Sequence, residues 1–377
     1  MIRCSTPFIG KAERDAVSKA AIDKDIQGEG RIGKAVESRL KDLLKARDVF
    51  LTTSGTHALE LAMMALGVKN GDEVICPSFT FVSTANAIMR QGARPVFAEI
   101  ENRTLNLDID DALGRITAKT KAIIPVHYGG FSCDMSRLVK EVSRRGIFVV
   151  EDAAQSVGAY YDGKALGTFG DVGCFSFHST KNITCGEGGA IAVNKRGLSG
   201  AVQVCREKGT NRFLYLEGKV AKYTWIDVGS SFVISDVLAS MLQAQLEKLG
   251  LITEKRRFIF DMYSGALRPL AAEGFISLPR PSERSAGNGH IFWMLLNRNI
   301  SRKRFIEQMR RRGIECTHHY VPLHSSPFGT GHLGYRSDDL PVTEDAASRL
   351  VRLPVHPGLN KAQVRYIIKN VKELLVK

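Results

Sequence analysis

From about residue 49 to residue 194, short apolar runs alternate with helical patterns, and this alternation constrains the fold more than any other feature. The runs are 49–52, 73–76, 95–99, 121–126, 147–151, 174–177 and 190–193. Each is of strand length, and segments between them, such as 135–145, carry a helical period. Strands that alternate with helices predict an α/β layer with a mainly parallel central sheet and helices on both faces. A long helical pattern then runs from Val233 to about Phe260, with Leu238, Met241, Leu242, Gln245, Leu246 and Leu249 on one face. It predicts a connection between a large domain, residues 1–235, and a smaller C-terminal α+β domain, residues 236–377. In the latter, 291–296 reads as a strand and 302–312 as a helix ended by Gly313.

Open α/β sheets bind ligands at the carboxyl ends of their strands, and three such positions here carry chemistry. Lys181 lies in Phe175-Ser176-Phe177-His178-Ser179-Thr180-Lys181-Asn182, between an apolar run and Gly186-Glu187-Gly188-Gly189. Asp152 ends the apolar run Ile147-Phe148-Val149-Val150. Glu151 precedes it and, by strand alternation, points to the opposite face. Ser54-Gly55-Thr56 opens a helical pattern directly after a short strand, where free N–H groups and the helix dipole attract an anion.

Together these residues meet the three demands of pyridoxal phosphate, a cofactor that acts as an electron sink. A lysine condenses with its aldehyde, a carboxylate pairs with its ring nitrogen, and an anion site holds its phosphate. Lys181, Asp152 and the Ser54–Thr56 helix start supply them, with Ser176 as a further hydroxyl. Phe81, in Pro77-Ser78-Phe79-Thr80-Phe81, offers an aromatic face for the ring. Plainer readings compete: a helix N-cap for Asp152, an ordinary cap for residues 54–56, core packing for Phe81 and a solvated surface amine for Lys181.

Five stretches in order, Ser54-Gly55-Thr56-x-Ala58-Leu59, Pro77 to Phe81, Glu151-Asp152-Ala153-Ala154-Gln155, Phe175 to Lys181 and Gly186 to Gly189, resemble the DegT/DnrJ/EryC1/StrS nucleotide-sugar aminotransferases. The resemblance spans nearly the whole chain and implies the aspartate aminotransferase-like plan, fold-type I. It implies that Lys181 carries the cofactor, that Asp152 pairs with the pyridine nitrogen and that Gln155 contacts the ring hydroxyl. Gly55, Thr56 and Ser176 then hold the phosphate and Phe81 stacks on the ring. Arg206 to Arg212, Lys222 to Ser231 and His319 to His324 resemble the members that make dTDP-4-amino-4,6-dideoxygalactose from dTDP-4-keto-6-deoxyglucose, for surface polysaccharide synthesis. That implies L-glutamate as donor, a nucleotide-sugar acceptor, His319 and Tyr320 near the sugar, and a homodimer. Amination of another keto sugar, at C3 or on a UDP or GDP carrier, is the main alternative. A sugar dehydratase of the same fold has histidine where Lys181 stands.

The net charge of +14 is concentrated late, in Lys255-Arg256-Arg257, Arg302-Lys303-Arg304 and Arg310-Arg311-Arg312. A non-catalytic nucleic-acid binder or regulator would use such charge; a solvated basic face on C-terminal helices is the simpler expectation. Lys208 and Arg212 are candidates for contacts to the nucleotide diphosphate. His318, His319 and His324 lie close in sequence, but only Cys316 accompanies them, so no metal is expected. No apolar run approaches the roughly 20 residues that span a bilayer. The start of the sequence lacks a signal-peptide core, and its seven cysteines are scattered. The expectation is a cytoplasmic protein with reduced thiols, contacting neither membrane nor nucleic acid.

Overall fold

The computed structural model describes residues 1–376. Seven strands, β1 (Asp48–Thr52), β2 (Glu73–Pro77), β3 (Arg94–Ala98), β4 (Thr120–Ile123), β5 (Phe148–Asp152), β6 (Val172–Ser176) and β7 (Gly189–Val193), form one sheet. Their order is β1-β7-β6-β5-β4-β2-β3. Neighbours from β6 across to β3 are parallel. Only β7 runs against its neighbours β1 and β6, so the sheet is mainly parallel, as the sequence predicts. Strands β6 and β7 are buried along their whole length, which is why they read as continuous apolar runs rather than alternating ones.

The run 121–126 is a strand only over Thr120–Ile123; beyond it Val126 makes an isolated bridge to Asp152. The segment read as one helix from Val233 is two helices, Asp236–Glu247 and Leu249–Ala272. They break at Lys248, whose backbone (φ −98°, ψ 2°) leaves the helical region. Its N–H turns back to the Gln245 carbonyl at 3.1 Å. The apolar face carries on across the break, so periodicity alone cannot reveal it.

A second sheet is antiparallel and has three strands, β8 (Ile276–Ser277), β9 (Phe292–Leu296) and β10 (Leu350–Leu353), with β9 central. Its two faces differ. Phe292, Met294, Leu296, Val351 and Leu353 enter a core with Tyr263, Phe305, Met309 and Ile367, from the helices Leu249–Ala272, Arg302–Arg311 and Lys361–Leu375. Trp293, Leu295 and Leu350 pack instead against Phe79 and Tyr128, from loops at the carboxyl edge of the large sheet. The first residues of the chain also join this half, with Ile2 N–H bonded to Gly313 O at 2.7 Å.

The basic segments are not uniformly solvated. Arg256 is 2% exposed and donates to the carbonyls of His290 at 3.0 Å and Val355 at 3.2 Å. Burial lowers its pKa to about 10. The expected exposed face is corrected at this residue, which ties its helix to the segments flanking β9 and β10. No helix among the described residues is long and apolar enough to cross a membrane.

Candidate active site

The sequence-predicted cofactor residues lie at or just past the carboxyl ends of β1, β2, β5 and β6. Ser54 caps the helix Gly55–Ala65, accepting the His57 N–H at 3.1 Å. The N–H groups of Gly55 and Thr56, first in that helix, have no acceptor within it. A side chain on Gly55 would place Cβ 2.8 Å from Ser176 Cβ and 3.2 Å from Ser176 Oγ. Glycine thus brings the helix start against the end of β6, and one hydroxyl joins two free N–H groups in a cradle for an anion. Gly189 contributes from beneath: a Cβ there would collide with the Ser54 backbone and come within 2.6 Å of Gly55 N. The Thr56 hydroxyl is bonded to Ser83 Oγ at 2.7 Å, joining the cradle to the helix Val82–Met89.

Asp152 ends β5 and is buried. Its Oδ2 accepts a 2.8 Å hydrogen bond from Thr84 and its Oδ1 a 3.2 Å bond from Ala154 N–H. The helix N-cap reading fails, because residues 153–159 form turns rather than a helix. Glu151 does point to the other face. It is fully buried, takes N–H groups of Gly167, Phe169 and Gly170, and meets His127 Nε2 at 2.7 Å.

Lys181 lies in the connection between β6 and β7. Phe177 N–H to Gly188 O and Cys185 N–H to Phe177 O fold that connection into a tight loop. Burial lowers the Lys181 amine from the ordinary 10.5 to about 8; the Asp152 carboxylate opposes the shift and the Arg352 guanidinium adds to it. An amine so placed is a nucleophile and a proton carrier near neutral pH.

Gln155 is buried, accepting Gly129 N–H at 2.7 Å and donating to the Tyr320 hydroxyl at 2.8 Å. Tyr320 stacks on His319, with ring centroids 3.8 Å apart. Phe81 is 57% exposed, with its ring centroid 6.3 Å from that of Tyr320. Its open face, not core packing, is the environment found. His319 Nδ1 shares a 2.7 Å hydrogen bond with Tyr128, and His324 Nδ1 one of the same length with Ser78. Among the described residues no group of His, Cys, Asp and Glu has the arrangement to hold a metal ion.

Lys208 and Arg212 are not joined to this cluster by any hydrogen bond or ion pair among the described residues. Their loop folds on itself: Lys208 N–H bonds Ser230 O at 3.0 Å, and Arg212 pairs with Glu207 at 2.9 Å. Sequence reasoning missed Thr84, Tyr128, Asn182, His290 and Arg352. His290 is buried, and its Nδ1 lies 2.8 Å from Asn182 Oδ1, beside Lys181 in the chain. Burial, then the charges of Lys181, Arg256 and Arg352, hold it well below its usual pKa, hence neutral. The one available signal was Arg352, a charge inside the apolar run Leu350-Val351-Arg352-Leu353.

The arrangement fits pyridoxal phosphate on its own geometry: a free helix start that Gly55 brings against Ser176, a carboxylate with two donors, and a buried amine whose lowered pKa the Asp152 charge opposes. Comparison with known proteins agrees. The profile of the DegT/DnrJ/EryC1/StrS aminotransferase family matches residues 7–372. GDP-perosamine synthase of Escherichia coli O157:H7 is 31% identical over 374 residues, 97% of this chain and 96% of that protein. The dTDP-4-dehydro-2,3,6-trideoxy-D-glucose 4-aminotransferase of Saccharopolyspora spinosa is 32% identical over 375 residues, 97% and 95% of the two chains. Among solved structures, the putative sugar aminotransferase Spr1654 of Streptococcus pneumoniae in its PLP form superposes with a TM-score of 0.90 at 27% identity. That alignment covers 100% of this chain and 98% of the other. The protein therefore belongs to the DegT/DnrJ/EryC1/StrS aminotransferase family and is a pyridoxal-phosphate-dependent aminotransferase.

Proposed function

We propose that the protein moves an amino group from L-glutamate to the C4 keto carbon of a nucleotide-linked 4-keto-6-deoxyhexose. The specific reaction we assign is dTDP-4-keto-6-deoxyglucose to dTDP-4-amino-4,6-dideoxygalactose, in surface polysaccharide synthesis. The observation that supports amino-group transfer is the set of three groups together: the helix start that Gly55 brings against Ser176, the Asp152 carboxylate held by Thr84 and Ala154, and the buried Lys181 amine whose pKa the Asp152 charge influences.

The bound cofactor would withdraw electrons from the carbon that loses or gains nitrogen. Gly55, Thr56 and Ser176 would hold its phosphate, Phe81 would cover its ring, Gln155 would meet its hydroxyl, and Asp152 would keep its ring nitrogen protonated. Lys181 Nζ would hold its aldehyde until the donor amine takes that place. The freed Nζ then accepts the donor's α-proton and later delivers a proton to the sugar carbon that receives nitrogen. Asp152 stabilises the positive end of the electron sink while that proton moves. His319 and Tyr320, stacked on each other with Tyr320 near Phe81, are assigned to the sugar; Lys208 and Arg212 are assigned to the diphosphate of the nucleotide substrate.

A homodimer and a cytoplasmic location belong to the same proposal, as does the division into a cofactor-binding part, 1–235, and a C-terminal part, 236–377, that packs over it. The dimer is supported by the loop holding Tyr223, Trp225, Ile226 and Val228, all more than half exposed, since patches of that kind mark interaction surfaces. Solvated arginines on the helix Arg302–Arg311 serve solubility in this reading, without nucleic acid or membrane.

A GDP-linked acceptor is the second reading, favoured by relatives named GDP-perosamine synthase. The test is a panel of dTDP-, UDP- and GDP-linked keto sugars, each incubated with L-glutamate and the holoenzyme, with products identified by mass and NMR. A C4 amine on the dTDP sugar is expected. Amination only at C3, or only on a GDP carrier, would replace the assignment.

A further inference from the structure

Ser78 and His324 are 246 residues apart in sequence and meet in the fold. Ser78 directly follows β2 and precedes Phe79 and Phe81; His324 follows Tyr320 in the run His319-Tyr320-Val321-Pro322-Leu323-His324. Both are fully buried. Leu323 N–H donates to Ser78 O at 3.0 Å, and His324 N–H donates to Ser78 Oγ at 3.0 Å. The same Oγ lies 2.7 Å from His324 Nδ1.

The protons can be placed. His324 Nε2 faces two acceptors, Ser337 O and Glu344 Oε1, each at 3.4 Å, so it carries the hydrogen. Nδ1 then offers its lone pair and takes the Ser78 hydroxyl proton. Serine, histidine and glutamate in such a row have the order of a nucleophile, its base and an orienting acid. Burial argues against that role here, because the Ser78 hydroxyl does not reach solvent and is already both donor and acceptor. The row is a pin between two segments.

One of those segments forms a side of the cleft. Residues 318–323 are anchored at their start by Thr317, whose backbone exchanges hydrogen bonds of 2.7 and 3.3 Å with Arg352 of β10. His324 anchors their end. Between the anchors stand His319 and Tyr320, with the Tyr320 ring centroid 5.6 Å from that of Phe79 and 6.3 Å from that of Phe81. The Phe81 side has further supports, Thr84 on Asp152 at 2.8 Å and Ser83 on Thr56 at 2.7 Å. Loss of the pin would therefore loosen the segment of His319 and Tyr320 more than the cofactor's own supports.

We propose that His324, acting through Ser78, is a positioning residue for the acceptor sugar. It fixes how far Tyr320 stands from Phe81, and with that the room for the sugar beside the cofactor. The inference rests on the aminotransfer reading and on the assignment of Tyr320 to the sugar; it adds what holds that side chain in place.

The test uses holoenzyme and follows the two half-reactions separately, by the absorbance change of the cofactor in single turnovers. In Ser78→Ala and His324→Leu, the concentration of dTDP-4-keto-6-deoxyglucose giving half-maximal rate should rise on the order of 10-fold, the loss of one buried hydrogen bond. The value for L-glutamate should change less than about 3-fold, within what a substitution away from the reacting groups produces. His324→Asn keeps an acceptor near the place of Nδ1 and should recover most of the loss. A role in packing alone predicts the reverse order, since leucine fills the buried site better than asparagine does. A readout independent of turnover is equilibrium binding of dTDP-6-deoxyglucose, which has no keto group. It should weaken in parallel, while binding of dTDP alone should not. Unchanged sugar saturation in Ser78→Ala and His324→Leu, or equal losses in both half-reactions, would overturn the proposal. Tyr320→Ala separates the pin from the reading beneath it. Unchanged sugar binding in that variant would overturn the assignment of Tyr320, and the proposal with it; a loss there without one in His324→Leu would overturn the pin alone. A wild-type enzyme that aminates only a UDP or GDP sugar would instead overturn the proposed acceptor, and the same variants measured with that sugar would still decide the role of His324.

Discussion

The Thr84 hydroxyl donates a 2.8 Å hydrogen bond to Asp152 Oδ2, and both residues are buried. Thr84 lies in the first turn of the helix Val82–Met89, which Phe81 precedes as its N-cap residue. One helix start therefore fixes both the exposed Phe81 ring and the carboxylate proposed to meet the cofactor. A carboxylate held from two sides has its rotation fixed, and under the proposed assignment that would keep it on the ring nitrogen. Thr84→Val keeps the shape and removes the donor. We expect kcat to fall about 10-fold, the worth of one hydrogen bond to a charged group, with KM for both substrates little changed. Thr84→Ser should restore most of it. Steady-state kinetics of the two variants decides; equal activity in Thr84→Val and wild type would remove Thr84 from any positioning role.

Lys181→Ala should eliminate both the yellow absorbance of the covalently held cofactor and transamination. Borohydride reduction of wild type, followed by peptide mapping, should place the pyridoxyl label on Lys181. A label on another lysine would dismantle the assignment of the site.

Much of this site was legible in the sequence because its residues sit at strand ends. A strand end is marked by an apolar run that stops, and Thr52, Asp152 and Ser176 each terminate one. The large sheet was legible for the same reason. The groups that read poorly come to the site from far along the chain. Thr84 lies 68 residues from Asp152, and His290 lies 108 residues from Asn182. No local pattern records that pairing. The break at Lys248 was hidden because the apolar face continues through it, and burial of Arg256 because its partners are carbonyls, which every residue has.

Gly189→Ala tests how the cradle is built. The added Cβ would drive into the Ser54 backbone, so the start of the helix Gly55–Ala65 must shift. Overpacking of this kind costs about 1–3 kcal/mol. The melting temperature of the apo protein should fall, and the dissociation constant for pyridoxal phosphate should rise on the order of 10-fold, since free N–H groups at a helix start bind an anion only where they converge on it. Calorimetric titration with the cofactor measures this. Wild-type affinity in the variant would separate the cradle from cofactor binding.

Trp225 is 75% exposed, with Ile226 and Val228 beside it. Under the homodimer proposal a second copy covers them. Trp225→Glu should shift sedimentation toward monomer and lower activity at low protein concentration, recovering as concentration rises. A wild-type protein that sediments as a fully active monomer would end the dimer proposal.

Stability of the apo protein should carry the signature of Lys181. Its pKa is near 10.5 in the unfolded chain and about 8 in the folded one. Below pH 8 both states hold the proton, and the folded state bears the full cost of a desolvated ammonium. Between about 8 and 10.5 the unfolded state binds more protons, so this group makes stability rise with pH. Above 10.5 both are neutral and the cost is gone. The sign is opposite to that of a lysine with a carboxylate partner, because burial outweighs Asp152 here. Lys181→Met carries no such cost at any pH. The variant should therefore melt higher than wild-type apoprotein at pH 7, and the gap should close as pH approaches 10. A gap that stays constant across this range would show that the Lys181 amine is not desolvated, and with it would go the physical reason for its reactivity near neutral pH.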